Sequence, residues 1–231
     1  MRQVVLDTET TGLEPSAGHR IIEIGCIEII NRRVTNNHWH HYIQPDREVD
    51  EGAFAVHGIS NEFLRDKPRF ADLADDFLDY IRGAELIIHN APFDVGFLNH
   101  ELALLGDDQP RIADICGVLD TLVMARQRHP GQKNNLDALC KRYEIDNSAR
   151  TLHGALLDSE ILAEVYLIMT GGQTSLSLDS EDSTGDVDSE LIRTGNISSE
   201  GLAVWQVGDE ALAQHRQFLD LIEKKAGKTC W

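Results

Sequence analysis

The sequence predicts an α/β domain over residues 1–172, followed by a linker and a short tail. Three observations lead there. Apolar runs with strand alternation recur in the first part of the chain. Segments with apolar residues at helical spacing follow them. The character of the chain then changes abruptly after Gly171-Gly172.

Taken in order, residues 3–7 make a first strand, Ile21 to Ile30 a second and Trp39 to Ile43 a third. Apolar residues at 70, 73, 74, 77, 78 and 81 predict an amphipathic helix from Phe70 to Ile81. Leu86-Ile87-Ile88 reads as a short buried strand. It runs into Asn90-Ala91-Pro92, where a cap-type Asn and an early Pro announce a helix. Asn135 to Tyr143 and Leu156 to Met169 are the last helices expected in the domain. From Asp179 to Glu190 the chain is acidic, Ser-rich and nearly free of apolar residues, so 173–190 is expected to be a flexible linker. Residues 191–231 regain hydrophobic content, with Leu212, His215, Leu219 and Ile222 on one helical face. A segment this short buries too little surface to stand alone, so it is either floppy or docked on a partner.

The 231 residues are 42% hydrophobic, enough for a globular core, and no apolar run approaches the roughly 18 residues of a membrane span. The N-terminus carries no signal-peptide pattern. Cysteines at 26, 116, 140 and 230 form no CxxC pair and read as reduced thiols of a cytoplasmic protein. A net charge of -18 argues against tight, non-specific grip on duplex phosphates. Either the substrate is not nucleic acid, or it is held locally by metal ions and a few groups while another protein supplies the grip. No glycine-rich nucleotide loop is present.

The chemistry concentrates in a few acidic residues. Asp7 and Glu9 stand two apart at the end of the first strand and so share a face. Like charges there repel, and a divalent cation would offset that cost; a strand end running into a solvated turn at Gly12 is the plainer alternative. Asp94 falls in the first turn of its helix, where a carboxylate also complements the helix dipole. It shares a face with Leu98 and Leu105, at the margin of the core. Asp158 lies on the stripe of Ile161, Leu162, Val165 and Met169, so its charge needs a partner or a metal. His153, five residues earlier, is loop-borne and able to face the same cavity. Carboxylates without cysteine suit Mg²⁺ or Mn²⁺. With one His and no nucleophilic Ser or Cys motif, they suit metal-assisted hydrolysis of a phosphodiester, a neutral His taking the proton of the attacking water. His38 and His40 share a strand face but lack a third zinc ligand nearby, so a polar strand face is the preferred reading there.

Asp7-Thr8-Glu9-Thr10-Thr11-Gly12, Asn90-Ala91-Pro92-Phe93-Asp94 and His153-Gly154-Ala155-Leu156-Leu157-Asp158 together resemble, in order and spacing, the three exonuclease motifs of the DEDDh family. Within that family, Asn31-Arg32-Arg33, Pro45-Asp46-Arg47, Val56-His57-Gly58-Ile59 and the tail are similar to the proofreading branch that serves bacterial replicative polymerases. The resemblance implies a ribonuclease H-like fold, a mixed five-stranded sheet flanked by helices. It implies two Mg²⁺ (or Mn²⁺) ions, bridged by Asp7, with Glu9 and Asp158 completing one site and Asp94 contributing directly or through water. His153 would be the general base. Asp7, Glu9, Asp158, Val56 and His57 would lie against the terminal nucleotide of a DNA 3′ end, released as a nucleoside monophosphate. One position departs: relatives often carry Glu before the Ala-Phe pair, where this chain has Gly52, so no contact is carried over from it.

Gln173-Thr174-Ser175-Leu176-Ser177-Leu178 looks like the motif by which such subunits bind the sliding clamp, with Gln173, Leu176 and Leu178 as its anchors. On the same resemblance, 191–231 docks on the polymerase alpha subunit, and a small accessory subunit is left open. Two rival readings stand beside this one. A DEDDh exoribonuclease would need neither the motif nor the tail. A non-catalytic adaptor is expected to have lost a carboxylate or His153, and all five positions are filled.

Overall fold

In the computed structural model, the described residues are 1–148, 150, 152–171 and, in the tail, 208, 210, 212, 213, 215, 216, 219, 220 and 224. A division falls between Leu176 and Ser177; the architecture below is that of the first unit. Its strands are β1 (Arg2–Thr10), β2 (Ile21–Ile30), β3 (Arg33–Tyr42), β4 (Glu85–Ile88) and β5 (Gly117–Asp120). Its helices are α1 (Glu51–His57), α2 (Asn61–Leu64), α3 (Phe70–Ile81), α4 (Ala91–Leu105), α5 (Ile112–Ile115), α6 (Thr121–Arg128), α7 (Leu136–Tyr143) and α8 (Ala155–Thr170). The sheet runs β3-β2-β1-β4-β5. β1, β2 and β3 are antiparallel neighbours, while β4 and β5 run parallel to β1. The expected mixed five-stranded sheet is therefore present.

Alternation along β1 decides which helix meets which side chain. Val4 and Leu6 pack with Phe70, Phe77 and Ile81 of α3 and with Phe97 and Leu98 of α4. Val5 points the other way, onto Leu139 of α7 and Ile161, Leu162 and Val165 of α8. Continued to the end of the strand, the same alternation aims Thr8 at α4 and aims Asp7 and Glu9 at α8. Central strands buried on both faces read as near-continuous apolar runs, as in Ile21 to Ile30.

Two devices fix the helices that matter. Arg20 donates from Nη2 (2.6 Å) and Nε (2.8 Å) to Glu101, which also accepts from the Ile21 backbone N–H (3.0 Å), tying α4 to the start of β2. α8 lies close against β2 at Gly25, the register partner of Asp7. A Cβ on Gly25 would stand 2.4 Å from the Ala155 backbone, and Ser159 Oγ donates to the Gly25 carbonyl (2.9 Å). Gly25→Ala is expected to destabilise the domain by roughly 1–3 kcal/mol through overpacking, and to lower hydrolysis because the first turn of α8 is displaced. Thermal unfolding and initial rates check this; an unperturbed variant would mean that α8 yields without cost.

Several expectations are refined. β3 begins at Arg33, six residues before the apolar signal at Trp39, because Arg33 to His38 is mostly exposed along the sheet edge and has no buried face to mark it. Asn90 occupies the N-cap position of α4 but makes no side-chain cap; it is in the left-handed region (φ 70°) and donates its backbone N–H to Asp120 Oδ1 (3.2 Å). α1, α2, α5, β5 and α6 were not expected from periodicity. Cys26, Cys116 and Cys140 are buried and unpaired. Among the described residues, no helix is long and apolar enough to cross a membrane. In the tail, Leu212, His215 and Leu219 are helical, whereas Ile222, the linker and the anchors Gln173, Leu176 and Leu178 lie outside the described residues.

Candidate active site

The C-terminal end of β1 and the first turns of α4 and α8 bring the predicted carboxylates together. Asp94 is buried and accepts a hydrogen bond from Thr8 Oγ1 (2.7 Å), two side chains 86 positions apart in the chain. From the other face, Asp158 is buried in the first turn of α8. One oxygen of Glu9, one of Asp158 and a ring nitrogen of His153 lie within 4.8 Å of one another. Among the described residues that is the one trio of His, Cys, Asp or Glu with donor atoms so close, and it does not include His38 or His40. His40 instead contacts Glu23 (2.7 Å), as a polar strand face would.

His153 is 44% exposed at its side chain and sits 3.3 Å from Asp158 Oδ2 through Nδ1. Its backbone N–H donates to the Val56 carbonyl (3.1 Å), fixing the end of α1 beside it. Next to this lies a cavity of about 620 Å³, whose lining includes Glu9, Leu13, Gly52, Val56, His57 and Phe93. Val56 and His57 both line this cavity. A Cβ at Gly52 would meet nothing within 4 Å, so the position faces open space. His57 is buried, accepts from the Ile59 N–H through Nδ1 (3.0 Å), and burial holds its pKa below the usual imidazole value.

Sequence reasoning missed Arg150. Its guanidinium donates to Asp158 from Nε (2.5 Å to Oδ1) and Nη2 (2.8 Å to Oδ2), to His153 Nδ1 (2.9 Å), and from Nη1 to Asp137 on α7 (2.7 Å). No periodic signal marks a residue on the irregular approach to α8. Thr8 lies within the first motif, and alternation sets it on the face opposite Asp7 and Glu9, but which helix covers that face is not in the local pattern.

The electrostatics follow from this crowding. Burial, then repulsion from Glu23, Asp158 and Asp94, raises Glu9 to about 8. Burial raises Asp94 to about 7 against the opposing Thr8 hydrogen bond. Burial and the neighbouring carboxylates also hold Asp7 well above the ordinary range. Burial pushes Asp158 up as well, but the Arg150 guanidinium on both its oxygens outweighs it and leaves the group low. A cluster in which carboxylates resist ionisation suits divalent cations, and the chemistry of the donors agrees: all oxygen apart from one imidazole, with Glu9 Oε1 buried and without a protein partner.

A stability prediction follows. Glu9 and Asp94 hold protons in the folded state at pH values where the unfolded chain, near its ordinary 4.5 and 3.8, has lost them. Their contribution is complete below about pH 4 and is lost as pH rises through about 7 to 8. In EDTA, stability should fall from pH 5 to pH 8 by on the order of a few kcal/mol. Saturating Mg²⁺ should flatten the decline, and Glu9→Gln should remove part of it. Thermal unfolding across that range is the check, and a flat EDTA profile would contradict the crowding described here.

The Exonuclease (RNase_T) family matches residues 4–166. The chain belongs to this exonuclease family. Relatives named DNA polymerase III subunit epsilon match it along its length. That of Salmonella typhimurium is 56% identical, covering 100% of this chain and 97% of the relative. That of Escherichia coli is 55% identical, with the same coverage. Among solved structures, Exonuclease X in complex with 5′ overhanging duplex DNA superposes with a TM-score of 0.57 at 27% identity, covering 73% of this chain and 91% of that one. The exonuclease domain thus includes every carboxylate of the cluster and His153.

Proposed function

We propose that the chain is the proofreading 3′–5′ exonuclease of a bacterial DNA polymerase III, hydrolysing the terminal phosphodiester of a DNA strand and releasing a nucleoside monophosphate. The single observation that carries the mechanism is the convergence of Glu9, His153 and Asp158 within 4.8 Å beside a nucleotide-sized cavity. The relatives named DNA polymerase III subunit epsilon, matched over the whole chain, support the biological setting, and with it the cytoplasm as place of work.

Asp7, Glu9 and Asp158, with Asp94 directly or through water, would hold two Mg²⁺ or Mn²⁺ ions. When bound, such ions polarise the phosphoryl group and stabilise both the attacking and the leaving oxygen. The protein's own residues do the rest. His153, partly exposed at its side chain and kept in place by its backbone bond to Val56, removes the proton of the attacking water. Val56, His57 and Phe93 wall the space for the terminal sugar and base. Thr8 holds Asp94 in position.

Partners follow the same reading. The segment 173–178 engages the sliding clamp, and 191–231 binds the polymerase alpha subunit, raising the local concentration of exonuclease at the primer end. This explains how a chain of net charge -18 works on DNA: its partners hold the duplex. Deleting 191–231 should leave hydrolysis of a free strand unchanged while ending co-purification with the alpha subunit; retained co-purification would contradict the docking role. The substrate is tested by offering DNA and RNA strands of one sequence to the purified chain with Mg²⁺. Faster shortening of DNA supports this reading, and a preference for RNA would replace it with the ribonuclease one.

A further inference from the structure

Arg150 is the one cation hydrogen-bonded into the cluster among the described residues, and its side chain is only 8% exposed. Its fork takes both oxygens of Asp158 and a nitrogen of His153, two of the three groups whose donor atoms converge. A guanidinium has donors only and is always charged. A divalent ion drawn to the same oxygens would meet that positive charge at hydrogen-bond range, so the two cations oppose each other for Asp158. The remaining Nη1 is anchored outside the cluster, on Asp137, whose side chain is 58% exposed. Arg150 therefore has a carboxylate partner that does not depend on Asp158.

We propose that Arg150 is a resident counter-ion of the metal site: it holds Asp158 and His153 in position and is displaced from Asp158 by the incoming divalent ion while Asp137 retains it. This rests on the assignment of Asp158 and Glu9 as metal-holding groups. In this role Arg150 is a positioning residue. It keeps a buried carboxylate charged and inward-facing, where an unpartnered charge would be strongly disfavoured, and its positive charge opposes the upward pressure on Asp7 and Glu9. The cost is weaker metal binding, because loading must break the fork.

The test measures metal binding directly, by titrating the full chain with Mn²⁺ and following calorimetry or the spin resonance of the free ion. Arg150→Gln should bind Mn²⁺ about tenfold more tightly than the parent, since removing a charged competitor is worth roughly that factor. Its melting temperature should drop in EDTA and recover most of the difference in saturating Mn²⁺. Arg150→Lys, which keeps the charge and loses the fork, should fall between the two and guards against a folding failure of the first variant. Unchanged or weaker Mn²⁺ affinity in both variants would overturn the proposal and make Arg150 a permanent brace. If the parent itself binds no Mn²⁺, the metal assignment fails and the counter-ion role fails with it. If the parent binds and the variants are not tighter, the metal assignment stands and only the counter-ion role is lost.

Discussion

Asp7→Asn is expected to lower hydrolysis of a DNA 3′ end by roughly 10³-fold or more, the loss that follows when several kcal/mol of metal-borne transition-state stabilisation disappears. The variant should nevertheless fold, and in EDTA it should be at least as stable as the parent. Asp7 sits among Asp94, Glu9 and Asp158, and burial with their repulsion already holds its carboxyl well above the ordinary range. Removing one charge relieves that repulsion. Single-turnover rates and thermal unfolding in EDTA, measured on the same preparation, separate the two effects. A stable Asp7→Asn chain with full activity would contradict the metal assignment for the whole cluster.

His153→Ala is expected to slow the chemical step by roughly 10²–10⁴-fold, the usual worth of a positioned general base. Substrate binding should change little, because the bond that fixes the end of α1 is made by the backbone of residue 153 and survives the substitution. The rate loss should therefore appear in kcat more than in KM. A twofold effect would remove His153 from the role and leave water activation to other groups.

What is legible in the sequence depends on distance along the chain. The shared face of Asp7 and Glu9 follows from strand alternation, and the inward position of Asp158 from its place on the stripe of Ile161, Leu162 and Val165. Both are local patterns. The meeting of Thr8 with Asp94 and the close approach of α8 to Gly25 depend on strand order and helix placement, which no local pattern contains. The resemblance to the exonuclease motifs supplied that convergence; periodicity did not. β5 was missed because Gly117 and Val118 are exposed and Leu119 and Asp120 only half-buried, leaving no alternation to read. α6 had a usable signal: Asp120 caps it by accepting from the Leu122 and Val123 N–H groups, a pattern visible as Asp before a helical run. Arg150 had none, since its meaning lies in three contacts made from an irregular segment.

The most direct test of metal-dependent 3′–5′ hydrolysis is one gel. A 5′-labelled DNA primer with a mismatched 3′ end is incubated with the full chain and Mg²⁺, beside Asp7→Asn and beside the parent in EDTA. With the parent and Mg²⁺ a ladder should appear that shortens one nucleotide at a time from the 3′ end, and the primer should stay intact in the other two lanes. Cleavage that persists in EDTA or in Asp7→Asn, or a primer left intact by the parent, would contradict metal-dependent hydrolysis.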